Sequence, residues 1–192
     1  MKILGVSGSP RRSGNTELLL DRALEGAREQ GAETEKIILN ELSFLPCQEC
    51  GDCDETGVCP ITDDMQPLYG KLEESDALII ASPIFFGSLT AQTKMFIDRC
   101  QCYWVSKYIL KRSRNKVKPR SGLFLCVCSS NRENYFRDSE KLMKMFFASL
   151  DISYVGALFY PGINEKGDIL SHPTALSDAF NAGRSLAGGK IG

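Results

Sequence analysis

The chain has 192 residues, a formal net charge of -1 and 43% hydrophobic residues, ordinary globular composition with enough material for one packed domain. The near-zero charge argues against general nucleic-acid binding, and no apolar run reaches the length that spans a bilayer. Eight cysteines with no export signal point to a reducing cytoplasm, where clustered thiols mean metal or redox chemistry.

In chain order, strand and helix patterns alternate. Residues 2–7 predict a first strand. Residues 15–30 place Leu18, Leu19, Ala23, Leu24 and Ala27 at helical spacing, and Gly31 suits the helix end. Residues 33–39 predict strand two, followed by a cysteine-rich loop at 46–60. Asp63 and Asp64 predict the start of a helix running to about residue 74, since acidic side chains suit its positive N-terminus. The fully apolar run 77–81 predicts a central parallel strand covered on both faces. A helix is expected from about 88 to 103, a strand at 121–128, a helix at 137–150, a strand at 154–160 and a last helix at 172–186. The glycine-rich end, 188–192, is expected to fray. Five strands alternating with helices imply an α/β doubly wound parallel sheet in one domain, 1–192.

The loop Ser7-Gly-Ser-Pro-Arg-Arg-Ser-Gly-Asn-Thr16 joins strand one to helix one. It is neither a Walker loop nor a G-x-G-x-x-G fingerprint. It brings the hydroxyls of Ser7, Ser9, Ser13 and Thr16 to a helix N-terminus, where backbone amides and the helix dipole favour a phosphate. Arg11 or Arg12 adds a charged contact. A plain capped turn, with Ser13 or Asn15 as the cap, does not need so many donors. After strand three, Ser82-Pro-Ile-Phe-Phe-Gly-Ser88 offers a flat apolar wall and free backbone N–H groups at the strand end where open α/β sheets bind ligands. A planar flavin ring needs both. The competing reading is a hydrophobic turn packed on the protein or on a second subunit.

Cys47, Cys50, Cys53 and Cys59, the last followed by Pro60, are spaced C-x2-C-x2-C-x5-C-P. The first three steps resemble bacterial ferredoxin ligand runs, and the longer last gap lets Cys59 fold back onto the same centre. The first reading is a [4Fe–4S] site. A zinc site is less well served by this triplet, a disulfide framework suits short secreted chains, and unligated or redox-active thiols remain the other alternative. Cys126 and Cys128 share one face of a strand and read as buried small hydrophobes. Cys100 and Cys102 point to nearly opposite sides of a helix, which disfavours joint chelation. The lone histidine, His172, reads as a surface residue.

The two loops and the cysteine run, with Asp63-Asp-Met65, Ser82-Pro-Ile-Phe-Phe-Gly87 and Lys94-Met-Phe-Ile-Asp-Arg99, resemble the iron–sulfur flavoproteins within the NADPH-dependent FMN reductase group of flavodoxin-like proteins. The match is close over about the first half of the chain. The resemblance implies a five-stranded sheet in the order 2-1-3-4-5, FMN, a [4Fe–4S] cluster on Cys47, Cys50, Cys53 and Cys59, and homodimers that pair into homotetramers, with electrons crossing between protomers. It implies that Ser7, Ser9, Pro10, Arg11, Ser13, Gly14, Asn15 and Thr16 hold the FMN phosphate. Pro83, Ile84, Phe85, Phe86 and Gly87 then flank the ring, and Ser129, Ser130 and Asn131 form a third flavin loop. Phe85 and Phe86 lack the hydroxyl of the tyrosine often seen in related reductases.

Three functions follow from these residues. The first is an electron-transfer flavoprotein linking a carrier such as ferredoxin, the cluster and FMN. The second is an NAD(P)H-dependent reductase of flavin or quinone without a functional cluster, and the third a zinc-stapled FMN-binding module. Acid–base catalysis is not evident, so no catalytic side chain is assigned. Glu49, Asp52, Asp54 and Glu55 would lower a cluster potential. Lys107, Lys111, Arg112, Arg114, Lys116, Lys118 and Arg120 read as a solvated basic loop that could steer an acidic redox partner.

Overall fold

A computed structural model describes residues 1–112 and 119–189. Its centre is a parallel sheet of β1 (Lys2–Ser7), β2 (Glu33–Ile38), β3 (Ala77–Ala81), β6 (Ser121–Cys128) and β7 (Ser153–Pro161) in the order β2-β1-β3-β6-β7. Counting the five parallel strands alone, this is the expected 2-1-3-4-5. A separate two-stranded hairpin pairs β4 (Ile84–Phe85) with β5 (Ser88–Leu89).

Strand alternation sorts the sheet into two cores. Leu4, Val6, Leu78, Ile80 and Phe124 face one core, packed with residues of α3 (Gln66–Glu74), α4 (Ala91–Arg99) and α6 (Glu133–Ser149). Ile3, Ala77, Ile79, Leu123 and Leu125 face the other, with α1 (Asn15–Glu29) and α7 (Ala175–Gly188). Every residue of β3 is buried, as its unbroken apolar run requires. Gly31, at φ 78°, follows α1 in the left-handed conformation that commonly ends a helix. Among the described residues, no helix is long and apolar enough to cross a membrane.

The helices depart from expectation where side-chain chemistry overrides pattern. The 88–103 helix is three pieces: the β4–β5 hairpin precedes α4, and α5 (Gln101–Trp104) with a wide-turn segment, Val105–Ile109, follows it. Phe86 and Gly87 both have positive φ (51° and 77°), the geometry of a tight two-residue hairpin turn. Thr90 then caps α4 by accepting from the Thr93 N–H. Residues 137–150 gain a first turn from Glu133, and α7 begins after His172-Pro173. His172 is half-buried, not a bare surface residue: Nδ1 accepts from the N–H groups of Thr174 and Ala175, and its ring meets Tyr160 edge-on. Lys190 to Gly192 of the predicted fraying end lie outside the described residues.

The basic stretch is also divided. Arg120 is buried and donates to the carbonyls of Leu72, Ser75 and Leu150, because its fork reaches the C-terminal ends of α3 and α6. Lys107 pairs with Asp151 and donates to Ala148 O. Neither belongs to a solvated loop. Lys111 and Arg112 are exposed; Arg114, Lys116 and Lys118 lie outside the described residues.

Glycines set the α1–α7 contact. A Cβ on Gly183 would lie 1.8 Å from Ala23 O, and one on Gly26 would lie 2.0 Å from Phe180 O. Because both clashes are with backbone, the helices would have to separate. Gly183→Ala is therefore expected to destabilise the protein by about 3 kcal/mol or more, read as a lower urea midpoint at unchanged slope.

Candidate functional site

The sheet order reverses between β1 and β3, and loops from the C-terminal ends of β1, β3, β6 and β7 meet there. Gly8 N–H donates to Ala81 O, Ser82 N–H to Leu125 O and Ile163 N–H to Cys128 O, so each loop is tied to its neighbouring strand. The resulting cleft is lined by Ser9, Arg11, Gly14, Asn15 and Thr16 from the first loop and by Pro83, Ile84 and Phe85 from the third strand's loop. Ser129 completes the predicted lining residues. Ser7, Pro10, Ser13, Phe86, Gly87, Ser130 and Asn131 do not line the cleft.

The first loop is shaped by α1's third residue. Glu17 is buried, accepts from the Ser13 N–H at 2.7 Å and pairs with Arg12 and Lys36. Burial pushes its carboxyl up, but Lys36, the Ser13 N–H and Arg12 outweigh this and hold it below the usual range. Gly14, not Ser13 or Asn15, is the residue at the N-cap, with Ser13 left at φ 51°. A Cβ on Gly14 would approach Arg11 O at 2.9 Å, so the turn closes only around glycine. Arg12 is bound to Glu17 and Glu41, which leaves Arg11 as the loop's cation at the cleft.

Two predicted contacts differ in kind. The Asn15 side chain donates to Glu165 O at 2.7 Å and accepts from Gly167 N at 2.9 Å. Its amide is committed to the loop after β7, leaving its backbone N–H at the cleft. Ser7 and Thr16 behave oppositely: both hydroxyls are buried and lack a hydrogen-bond partner. An unmet buried polar group costs about 1–3 kcal/mol, so Thr16, which lines the cleft, fits a ligand with strong acceptor oxygens. Ile163 and Asn164 also line the cleft, with Asn164 O accepting from Arg11 at 3.1 Å. Sequence reasoning missed them, although their position after the last strand's C-terminal end was the available signal. Cys128 and Val127 line it as well, while Cys126 lies in the core with them.

The cysteine loop forms a second site. Cys47, Cys50, Cys53 and Cys59 all line one cavity of about 540 Å³. Positive φ at Glu49, Gly51 and Gly57 bends the chain around it, and the single-turn α2 (Cys53–Thr56) lies between the bends. Among the described residues, no three His, Cys, Asp or Glu side chains stand close enough together to form a ready metal site. The donor set itself, four thiols around one space, fits a thiolate-bound centre. Burial, followed by Asp54, Cys47 and Cys59, raises the Cys53 thiol above its ordinary value. Cys102 lines the same cavity and Cys100 turns to the α4–α6 groove, the opposed directions expected of them.

The neck of this loop is hydrogen-bonded on both sides. Asp63 does not open a helix; α3 starts at Gln66, because Asp63 is taken by Arg99. Arg99 Nη1 donates to Leu45 O at 2.8 Å and to Asp63 Oδ2 at 2.5 Å; Nη2 donates to Asp63 Oδ1 at 3.1 Å and Ile61 O at 3.3 Å. Asp63 also accepts from the N–H groups of Leu45 and Met65. Asp64 accepts from the Ser43 N–H, and Gln66 Nε2 reaches Cys59 O and Ile61 O. Arg99 was noted in sequence only as part of Lys94–Arg99; nothing in its spacing predicted this role.

One helix connects the sites. At its start Thr90 Oγ1 donates to Gly8 O at 2.6 Å, and a Cβ on Gly8 would lie 1.8 Å from Thr93 Oγ1. At its end Arg99 holds the cysteine neck. From Thr90 to Arg99 the rise is about 13 Å.

Sheet order and loop placement are those of the flavodoxin-like class. The sequence profile described as NADPH-dependent FMN reductase matches residues 1–163, and the chain belongs to that family. It is 48% identical over 99 residues to an iron-sulfur flavoprotein of Methanocaldococcus jannaschii, covering 52% of this chain and 51% of that one. To an iron-sulfur flavoprotein of Methanosarcina thermophila it is 37% identical over 130 residues, covering 68% and 64%. The matched parts thus span about half to two thirds of these relatives. A solved NAD(P)H:quinone oxidoreductase from Methanothermobacter marburgensis superposes with TM-score 0.76 at 20% identity, covering 97% of this chain and 96% of that one, a likeness of fold.

The Asp63–Arg99 clasp has a pH signature. Burial raises the Asp63 carboxyl, but Arg99 and the Leu45 and Met65 N–H groups hold it below its ordinary value. Its stabilisation is then complete above about pH 4, the unfolded value, and is lost as pH falls through the lower folded one. Asp63→Asn is expected to cost about 3 kcal/mol at pH 7 and to flatten the acid limb of the stability profile, measured by urea unfolding from pH 7 to 3.

Proposed function

We propose that the chain is an FMN-dependent oxidoreductase of electron-transfer type. In this reading electrons pass between a one-electron carrier such as ferredoxin, a [4Fe–4S] cluster on Cys47, Cys50, Cys53 and Cys59, and FMN in the cleft. Residues 1–192 then act as one FMN-binding domain carrying its cluster loop at 46–60. The observation that carries the reading is the coupling of two incomplete sites by α4. Thr90 holds the loop whose Ser7 and Thr16 hydroxyls lack partners, and Arg99 holds the loop whose four thiols share a cavity.

FMN exchanges one or two electrons and an iron–sulfur cluster one, which together join a one-electron carrier to a two-electron substrate. The residues supply the rest. Thr16 donates its hydroxyl to the phosphate, with Ser7 behind the cleft wall and Ser9 folding the turn onto Arg11, the first-turn N–H groups of α1 add the helix dipole, and Arg11 adds charge. Gly14 lets the loop approach closely; Pro10 and Ser13 shape the turn behind it. Pro83, Ile84 and Phe85 exclude water from one side of the ring, Phe86 and Gly87 carry the backbone turn, and Ser129 approaches its edge, with Ser130 and Asn131 behind it. The four cysteines bind as thiolates, so assembly releases protons and is favoured by rising pH. The fully exposed Phe86 ring suits contact with a second copy, in keeping with a homodimer or homotetramer.

A second reading, an NAD(P)H-dependent reductase of FMN or quinone with idle cysteines, draws on the unconverged thiols of the cavity. Anaerobically purified protein separates the two. The first reading expects roughly four iron and four acid-labile sulfide per FMN and a brown colour. Iron-free yellow protein whose flavin is bleached rapidly by NADPH establishes the second, and zinc in place of iron removes both cluster and electron path.

The phosphate loop has its own test. Thr16→Val removes a donor that has no protein partner, so the apo-protein should lose no stability. FMN should bind about 10- to 150-fold more weakly, the loss of one hydrogen bond to a charged acceptor. Fluorescence titration reads the affinity and urea unfolding the stability; unchanged affinity with a destabilised apo-protein would contradict the assignment.

A further inference from the structure

The guanidinium of Arg99 carries five N–H donors, and four are used. Two go from Nη1 to Leu45 O and Asp63 Oδ2, and two from Nη2 to Ile61 O and Asp63 Oδ1. The fifth, on Nε, is buried without a partner, in a side chain with 0% exposure. An unpaired donor on a buried cation is costlier than a neutral one. The planar fork is held on both sides of the loop neck, so Nε cannot turn away to find a partner.

Arg99 lines the cavity of the four cysteines and, among the described residues, is the sole cation that does so. Burial acts against its charge, but Asp63, then Tyr69 and Cys59, more than compensate, so the guanidinium stays protonated. Resting on the cluster reading above, we infer that the Nε–H of Arg99 donates to a sulfur of the [4Fe–4S] cluster and raises its reduction potential. The physical basis is charge: the reduced cluster is the more negative, so a donor and a fixed positive charge stabilise it more than the oxidised one. This opposes the lining carboxylates Glu49, Asp54 and Asp98.

Wild-type protein labelled with ¹⁵N at arginine Nε, purified anaerobically and reduced, provides the test by pulsed electron paramagnetic resonance. A ¹⁵N coupling and an exchangeable proton coupling to the reduced cluster are expected. Their absence in protein with stoichiometric iron and sulfide overturns the inference and leaves the cluster reading standing. Absence of iron and sulfide overturns the cluster reading itself. A potentiometric titration gives the second readout. Arg99→Gln and Asp63→Asn both loosen the neck, but only Arg99→Gln should lower the potential, by about 59 mV for a tenfold change in a one-electron constant. With Arg99→Lys, which keeps the charge, the fall should be smaller. Equal falls in Arg99→Gln and Asp63→Asn would reduce Arg99 to a structural clasp.

Discussion

The ion pair between Arg99 and Asp63 decides where the cysteine loop can be. A loop of about fifteen residues with four cysteines and four acidic side chains has little apolar surface to bury, and hydrophobic packing alone would not order it. Its two ends are instead held by one buried guanidinium, which accepts the carboxylate as counter-ion and reaches the carbonyls of Leu45 and Ile61, one residue beyond each end of the 46–60 loop. A buried ion pair is costly to assemble and more costly to break. That asymmetry suits a neck that holds both ends of the loop in place.

The position of the clasp comes from the sheet. β3 is buried on both faces and ends at Ala81, whose carbonyl accepts from the Gly8 N–H; Ser82 Oγ accepts from the Thr90 N–H, and Thr90 binds Gly8 O and starts α4. The helix then carries Arg99 to the neck. The packing of the central strand thereby fixes both sites relative to each other. Gly8 allows the close approach at one end, and the hydrogen bond from Tyr69 to Arg99 O secures the other. The unpartnered Ser7 and Thr16 hydroxyls and the unpartnered Arg99 Nε lie at opposite ends of this strut. Among the described residues these are the buried side-chain nitrogen and oxygen atoms that lack a partner, and such exceptions point to bound groups.

Much of the framework was legible in the sequence because it rests on periodicity. The runs at 2–7, 77–81 and 121–128 coincide with β1, β3 and β6, and the helical spacing of Leu19, Ala23, Leu24 and Ala27 gives α1 and its end at Gly31. The cleft loops were found because glycine and hydroxyl residues cluster after a strand. What escaped depends on partners distant in sequence. Asp63 looked like a helix-opening acid because Arg99, thirty-six residues away, is not visible locally. The Asn15 side-chain bonds to 165, 167 and 169 escaped because those partners lie beyond the last strand. The strand Ser88–Leu89 was absorbed into a helix because its pairing with Ile84–Phe85 depends on a turn in which Phe86 takes a positive φ against its ordinary preference. Arg120 was read with its charged neighbours, whereas its burial is set by carbonyls of Leu72, Ser75 and Leu150.

The central claim is that the clasped loop holds one iron–sulfur centre on Cys47, Cys50, Cys53 and Cys59. Anomalous diffraction from crystals of anaerobically purified protein, recorded on both sides of the iron edge, tests it most directly. The account predicts one compact iron peak inside the cysteine cavity, bonded by all four sulfurs and adjacent to Arg99. A zinc peak, a peak elsewhere, or a centre that leaves Cys59 unbound would contradict it.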